Sequence, residues 1–327
     1  MRKRSGSFSE FTLEEILDYE KVRYRRKGYG LVVASFIAIL WFFVFPYLFQ
    51  FIWPYKIENE GKFGFIVGLA IHEGTFILIN LVFWIIYKSN WDFCERYKTH
   101  DHPWPWISDP EKWRKQIKRT FFFLFMNHLI FLPLMSLPYY LTNVSPFTVD
   151  YDKLPSPFEV IYQTVFFMLI EDFCFYWSHR LLHHEMIYPY IHKIHHEYVN
   201  VVSISSEFAH PLEFLFGNIL TTNIGPIILG KRVHYATFAM WLILRIGETC
   251  DGHSGYEFSW SPYRLLPFAG SSEYHNFHHL NTKGNFSSFF TYWDRLLGTV
   301  NPSYFKFTEK KKELYLKAIE VENKKQK

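Results

Sequence analysis

The chain has 327 residues, is 49% hydrophobic and 21% aromatic, and carries a formal charge of only +4. That charge, with no basic stripe interleaved with stacking aromatics, argues against nucleic-acid binding. Cys94, Cys174 and Cys250 lie far apart with no Cys-x-x-Cys pair, so neither a disulfide framework nor a thiolate metal site is expected.

The first 30 residues are polar, from Arg2-Lys3-Arg4 to Arg25-Arg26-Lys27, and lack the short apolar core of a cleaved signal peptide. Within them Leu13, Ile16 and Leu17 alternate with Glu14, Glu15 and Asp18, the pattern of an amphipathic helix on a membrane surface. Four stretches then reach the roughly 20 apolar residues that a bilayer crossing takes: Leu31 to Trp53, Phe63 to Tyr87, Phe121 to Leu141, and Phe158 to Trp177. Lys and Arg crowd the N-terminal segment and the loop from Lys88 to Arg119, whereas the other two loops hold only Lys56, Lys62 and Lys153. The positive-inside rule therefore puts both termini, the basic loop and everything after Trp177 in the cytosol.

Beyond the fourth span, 212–247 is apolar but interrupted by Gly217, Asn218, Asn223, Gly225 and Pro226. It is expected to form a re-entrant hairpin in the cytosolic leaflet, with two further spans as the alternative. The fold class is all-α, an integral membrane protein of about four transmembrane helices. Its expected divisions are an amphipathic segment (1–30), a transmembrane region (31–177), a cytosolic helical His-rich di-metal domain (178–308) and a basic tail (309–327). Lys324 and Lys325 near the end of that tail resemble the dilysine retrieval signal of endoplasmic-reticulum membrane proteins.

Two segments repeat one spacing, His192, His195, His196 and His275, His278, His279. On a helix, positions i, i+3 and i+4 share a face, so each segment is expected to present three imidazoles to one point. His179 and His183 add a pair at i and i+4, while His184 points elsewhere. His210 and His253 would complete a set of ten. One metal cannot use so many rings, since zinc takes four ligands and octahedral iron six, so two metals are expected. Glu171, Asp172, Glu207, Glu248 and Asp251, with Asn276 inside the third box, are candidates to orient the rings. No Ser-His-Asp set and no His-Glu-x-x-His helix is present, which leaves hydrolysis without its usual nucleophile or base. A dinuclear iron site facing an apolar cavity suits O2 activation and attack on a C–H bond, with no catalytic residue separate from the metal ligands. His72 and Glu73, ionisable groups inside a span, and Val201, Val202 and Ile204, in a loop between ligand segments, are expected to touch substrate.

The order His179-x-x-x-His183-His184, His192-x-x-His195-His196, His275-x-x-His278-His279 resembles the fatty acid hydroxylase and sterol desaturase superfamily of membrane di-iron oxygenases, and within it the C4-methylsterol monooxygenases. Ile170-Glu171-Asp172, Ala209-His210-Pro211-Leu212-Glu213, His253-Ser254-Gly255-Tyr256 and Tyr292-Trp293-Asp294-Arg295 carry the same resemblance, which spans about Phe121 to Thr299. It implies two non-haem iron ions and stepwise oxidation by O2 of the C4-methyl group of a sterol to the carboxylate. Electrons would come from NADH or NADPH through a reductase and cytochrome b5. The chain has no dinucleotide-binding Gly-x-Gly-x-x-Gly, so those partners are expected to be separate proteins. Sterol desaturation, side-chain hydroxylation and fatty-acid hydroxylation are same-family alternatives. Two departures bear on substrate choice. Val199-Asn200-Val201-Val202-Ser203-Ile204 stands where an Ala-Pro-x-Gly segment is expected, and Asn276 stands where an Asp is usual.

Overall fold

The computed structural model describes residues 28–100 and 102–309 and the positions 313, 316 and 320. The amphipathic segment from Phe11 to Tyr24 and the Lys324-Lys325 signal lie outside the described residues. The main helices are α1 (Gly28–Ile52), α2 (Glu60–Ser89), α3 (Pro110–Thr142), α4 (Pro157–Leu182), α5 (Pro211–Arg232), α6 (Tyr235–Gly252), α7 (Ser272–Asn281) and α8 (Tyr292–Leu296). No strand forms among the described residues, only three isolated bridges.

Local sequence sets the helix ends. Asp109 accepts the Lys112 N–H at the start of α3. Ser156 and Glu159 close a capping box around α4, with Pro157 in the first turn. Asn90 and Asn143 end α2 and α3 in the left-handed conformation that Asn tolerates. Three helices contain a π-helical stretch, Leu40–Val44 in α1, Phe125–Phe131 in α3 and Phe214–Ile219 in α5.

Packing builds one bundle. α2 lies against α3 and α6, and α4 lies against α5 and α1, with α6 also meeting α4 and α7. A Cβ on Gly61 would come within 2.0 Å of the Tyr139 carbonyl, so glycine is what lets α2 and α3 cross so closely. Phe36, Ile77, Leu78, Trp84, Phe121 and Leu129 remain exposed on α1 to α3, an apolar surface that suits lipid.

Among the described residues, α1, α2, α3 and α5 are the helices long and apolar enough to cross a membrane. The number matches expectation, but the membership differs. The stretch Phe158 to Trp177, whose apolar length predicts a span, lies in α4, which is not among them, while α5, whose interruptions predict one limb of a shallow hairpin, is. The reason is the inner face of α4, which buries Gln163, Thr164, Glu171, Asp172 and His179. α4 still runs from the end of the bundle where Lys231 pairs with Glu60 to the histidine end, with Phe158, Val165, Leu169 and Phe173 exposed outward and the polar inner face carrying the site.

The basic loop and the histidine segments lie at the same end of the bundle. Tyr87 Oη, at the end of α2, donates to the Ser254 carbonyl (2.7 Å). At the start of α3, Arg119 pairs with Glu197 (3.1 Å) and Thr120 bonds the Tyr198 hydroxyl (2.6 Å). Between them Tyr87, Trp104, Trp106, Tyr256, Phe258 and Trp260 form an aromatic stack that clamps the loop onto the segment after His253.

Candidate metal centre

Nine imidazoles converge in two groups. His179, His183, His192, His196 and His278 form one, and His195, His253, His275 and His279 form the other. Within each, one ring nitrogen per residue lies within 4.8 Å of all the rest. Neither triplet therefore points at a single place. Each pair at i and i+4 (His179 and His183, His192 and His196, His275 and His279) stays together, and the intervening His195 and His278 cross to the opposite group. The physical reason is local. His195–Glu197 is a 3-10 turn and not part of an α-helix, and on α7 the ring at His278 leaves the face shared by His275 and His279.

The tautomers follow from the hydrogen bonds. Nδ1 of His179 donates to the Phe286 carbonyl (2.8 Å), of His195 to Phe208 (3.1 Å), of His253 to Thr249 (2.8 Å), of His278 to Gly284 (2.7 Å) and of His279 to Tyr198 (2.9 Å). His192 Nδ1 donates to the Glu213 carboxylate (2.8 Å). A carbonyl can only accept, so Nδ1 carries the proton and, in a neutral ring, Nε2 carries a lone pair. Those Nε2 atoms face one another and the Nε2 atoms of His183, His196 and His275. His192 Nε2 is 3.1 Å from Nε2 of both His179 and His196, His183 and His278 are 3.1 Å apart, and His253 is 3.2 Å from His195 and 2.9 Å from His275. Lone pairs aimed at lone pairs repel unless a cation lies between them, so the donor set fits two metal ions. Burial keeps the rings neutral. It lowers His195 to about 4 and His278 to about 3, and it holds His192, His196, His253, His275 and His279 well below the usual imidazole range.

The loop after α7 is shaped for this task. Gly284, at φ +77, turns its carbonyl onto His278, and a Cβ there would meet the Thr299 carbonyl at 2.3 Å. Asp294 then fixes the loop. Fully buried, it accepts from the Phe286 and Ser287 N–H groups and from the Tyr274 and Thr299 hydroxyls.

His210 is in neither group. Its Nδ1 accepts the Leu212 N–H and caps α5, so the expected tenth ligand is a helix cap. His184 is exposed and accepts from Met186 N–H. The acids also sort differently from expectation. Glu171 and Glu248 both pair with Arg245 (2.7 and 2.8 Å), and Asp251 pairs with Arg264 (2.8 Å). Asp172 accepts the Phe290 N–H, Asn276 accepts the Val201 N–H, and Glu207 meets His128 at 2.7 Å. The acid that does hold a converging ring is Glu213, which sequence spacing gave no means of choosing. Asp294 stands in the sequence only as part of Tyr292-Trp293-Asp294-Arg295, and its role is not legible there because its partners are two backbone N–H groups and two hydroxyls brought together by the loop.

A cavity of about 260 Å³ opens beside the centre, lined by apolar groups such as Phe65, Leu69, Leu132 and Leu242, and by His72, Glu207, Arg245 and Thr249. Arg245 and Thr249 also line a small recess that reaches His253 and His275, so the polar end of the cavity abuts the second group. Glu73, Val201, Val202 and Ile204 are not in the cavity wall. Val201 and Val202 are fully buried, and Val202 and Ile204 pack into the aromatic core, because the loop folds inward against α2 through the Ser203 N–H to Tyr87 bond.

Residues 164–299 match the model of the fatty acid hydroxylase family, a stretch that contains all nine imidazoles. The chain is 35% identical over 273 residues to methylsterol monooxygenase 1 of Gallus gallus, covering 81% of this chain and 87% of that one. It is 36% identical over 252 residues to methylsterol monooxygenase 2-2 of Arabidopsis thaliana, covering 76% and 90%. It is also 36% identical over 255 residues to a very-long-chain aldehyde decarbonylase of Oryza sativa subsp. indica, covering 76% and 89%. No solved structure matches it.

Proposed function

The chain belongs to the fatty acid hydroxylase family, and from that premise we propose that this membrane oxygenase oxidises the C4-methyl group of 4-methyl and 4,4-dimethyl sterols. The observation that carries this reading is the convergence of nine imidazoles, seven of them buried, beside the polar end of an otherwise apolar cavity. His179, His183, His192, His196 and His278 would hold one iron ion and His195, His253, His275 and His279 the other. Bound iron supplies the O2 activation that an unactivated C–H bond requires.

The protein's own part is positioning and exclusion of water. Backbone carbonyls and Glu213 keep every bonded Nδ1 protonated, so the lone pairs are in place before a metal arrives. The apolar walls accept a rigid hydrocarbon, and Thr249 and Arg245 end the cavity next to the second histidine group, where the reacting carbon would lie. Methyl to alcohol, alcohol to aldehyde and aldehyde to acid are three rounds, each consuming one O2, two electrons and two protons. The electrons would come from NADH or NADPH through a reductase and cytochrome b5. The test is to express the chain in a strain lacking its own C4 oxidase and feed 4,4-dimethyl sterols. Demethylated sterols should accumulate. No conversion of any C4-methyl sterol, with turnover of a very-long-chain aldehyde instead, would assign the chain to the chemistry named for the rice relative.

We place the enzyme in the endoplasmic-reticulum membrane with the histidine domain and both termini in the cytosol. The charge distribution supports this, since the basic loop and the site share one end of the bundle. Asn285, in the sequon Asn285-Phe286-Ser287, is fully buried and accepts the Asn301 N–H, so its glycosylation cannot report orientation. A sequon inserted into a lengthened 53–59 loop is expected to be glycosylated in microsomes. The same insert placed between Lys88 and Pro110 is expected to stay bare, and the reverse pattern would invert the orientation.

A further inference from the structure

Outside the nine-histidine centre, the bundle buries a second constellation of metal-binding side chains. His72 on α2, His128 on α3 and Glu207 before α5 are 7%, 5% and 3% exposed. His128 is turned inward by the π-helical stretch Phe125–Phe131, a distortion that often marks functional positions in helices. Glu73 bridges the two rings. Its Oε1 lies 3.1 Å from His72 Nδ1 and its Oε2 lies 3.1 Å from His128 Nδ1, both as hydrogen bonds.

On the other side of the rings the geometry changes. Glu207 Oε2 is 2.7 Å from His128 Nε2, and Oε1 is 3.6 Å from His72 Nε2. Yet Glu207 Oε2 and His128 Nε2 have no hydrogen-bond partner and no solvent. With Nδ1 donating to Glu73, a neutral ring at each position would turn its Nε2 lone pair toward a buried carboxylate. This is the arrangement of the nine imidazoles repeated with a different acceptor. Buried acceptors set against acceptors are costly in an apolar bundle unless a cation joins them. His72 and Glu207 also line the cavity.

We propose that His72, His128 and Glu207, with Glu73 orienting both rings, form a third metal site that opens on the cavity. Two imidazoles and one carboxylate with room for a further ligand are the donor set of non-haem iron(II) and of catalytic zinc, and a carboxylate behind each ring is the usual support. The rival arrangement has both rings protonated, giving four N–H groups to four carboxylate oxygens and needing no ion. The site does not depend on the substrate proposed above.

Metal counting separates the two. Full-length protein in detergent is saturated anaerobically with iron(II), or with zinc(II), desalted, and its metal measured per chain by plasma mass spectrometry. Wild type is expected to hold three ions, and His128→Gln and Glu207→Gln two each. His278→Ala, which damages the nine-histidine centre, is expected to retain the ion that His128→Gln loses. If the nine-histidine centre bound nothing, the wild type would hold one ion and His128→Gln none, so failure of that reading is distinguishable. Equal counts in wild type and in both folded variants would overturn the third site. Should neither variant fold, a saturated wild-type count of two overturns it and a count of three sustains it.

Discussion

Replacing His192 or His278 with alanine is expected to abolish product formation while leaving the protein in the membrane. His192 Nε2 sits 3.1 Å from the Nε2 atoms of both His179 and His196, so it is the ring around which the five-member group closes. His278 reaches that group from α7, while its helix neighbours His275 and His279 serve the other. Its loss should therefore disturb the five-member group directly and the second through the shared helix. The expected fall in rate exceeds the roughly 10–100-fold that follows removal of a ligand's hydrogen-bond partner. Iron per chain, measured alongside turnover, should fall in both variants. His184→Ala, an exposed ring one residue from His183, is the control and should keep wild-type iron and rate. Full activity in His192→Ala or His278→Ala would remove the basis of the ligand assignment.

Glu213→Ala is expected to reduce metal affinity and turnover by about 10–100-fold, without removing any atom that would touch a metal. The other ring-orienting bonds described above end on backbone carbonyls, which substitution cannot delete. Glu213 is the side chain among them, holding His192 Nδ1 at 2.8 Å from a nearly fully buried position. Without it His192 can flip or change tautomer. Glu213→Gln keeps an oxygen that accepts the Nδ1–H but removes the charge, so it should recover much of the metal binding lost in Glu213→Ala. A merely space-filling role for Glu213 predicts no such recovery. Iron titration of the three proteins measures the difference.

Much was legible along the chain because its signals are short-range. Apolar length marked α1, α2 and α3, and the repeated histidine spacing marked a polynuclear site, because both depend on residues a few positions apart. The failures have a common form. Glu171 and Asp172 on α4 lie near the first histidine pair in sequence, but only the packed bundle shows that they meet Arg245 and the Phe290 N–H instead of a ring. Val201, Val202 and Ile204 lie between ligand segments in sequence yet turn into the aromatic core and away from the cavity. His210, next to Pro211, looks like a further ligand until α5 is in place and its Nδ1 is seen capping that helix.

The sequence by itself determined that this is a helical membrane protein with clustered histidines able to hold metal, since hydropathy and i, i+4 geometry need no tertiary contact. Only the tertiary structure decided how nine imidazoles divide five and four, which acid orients a ring, and where the cavity runs. Those depend on which atoms meet across 13 to more than 100 residues of chain, as His179 meets His192 and the Phe286 carbonyl. Hydrogen-bond direction at such contacts sets each tautomer, and spacing along one helix carries no information about it.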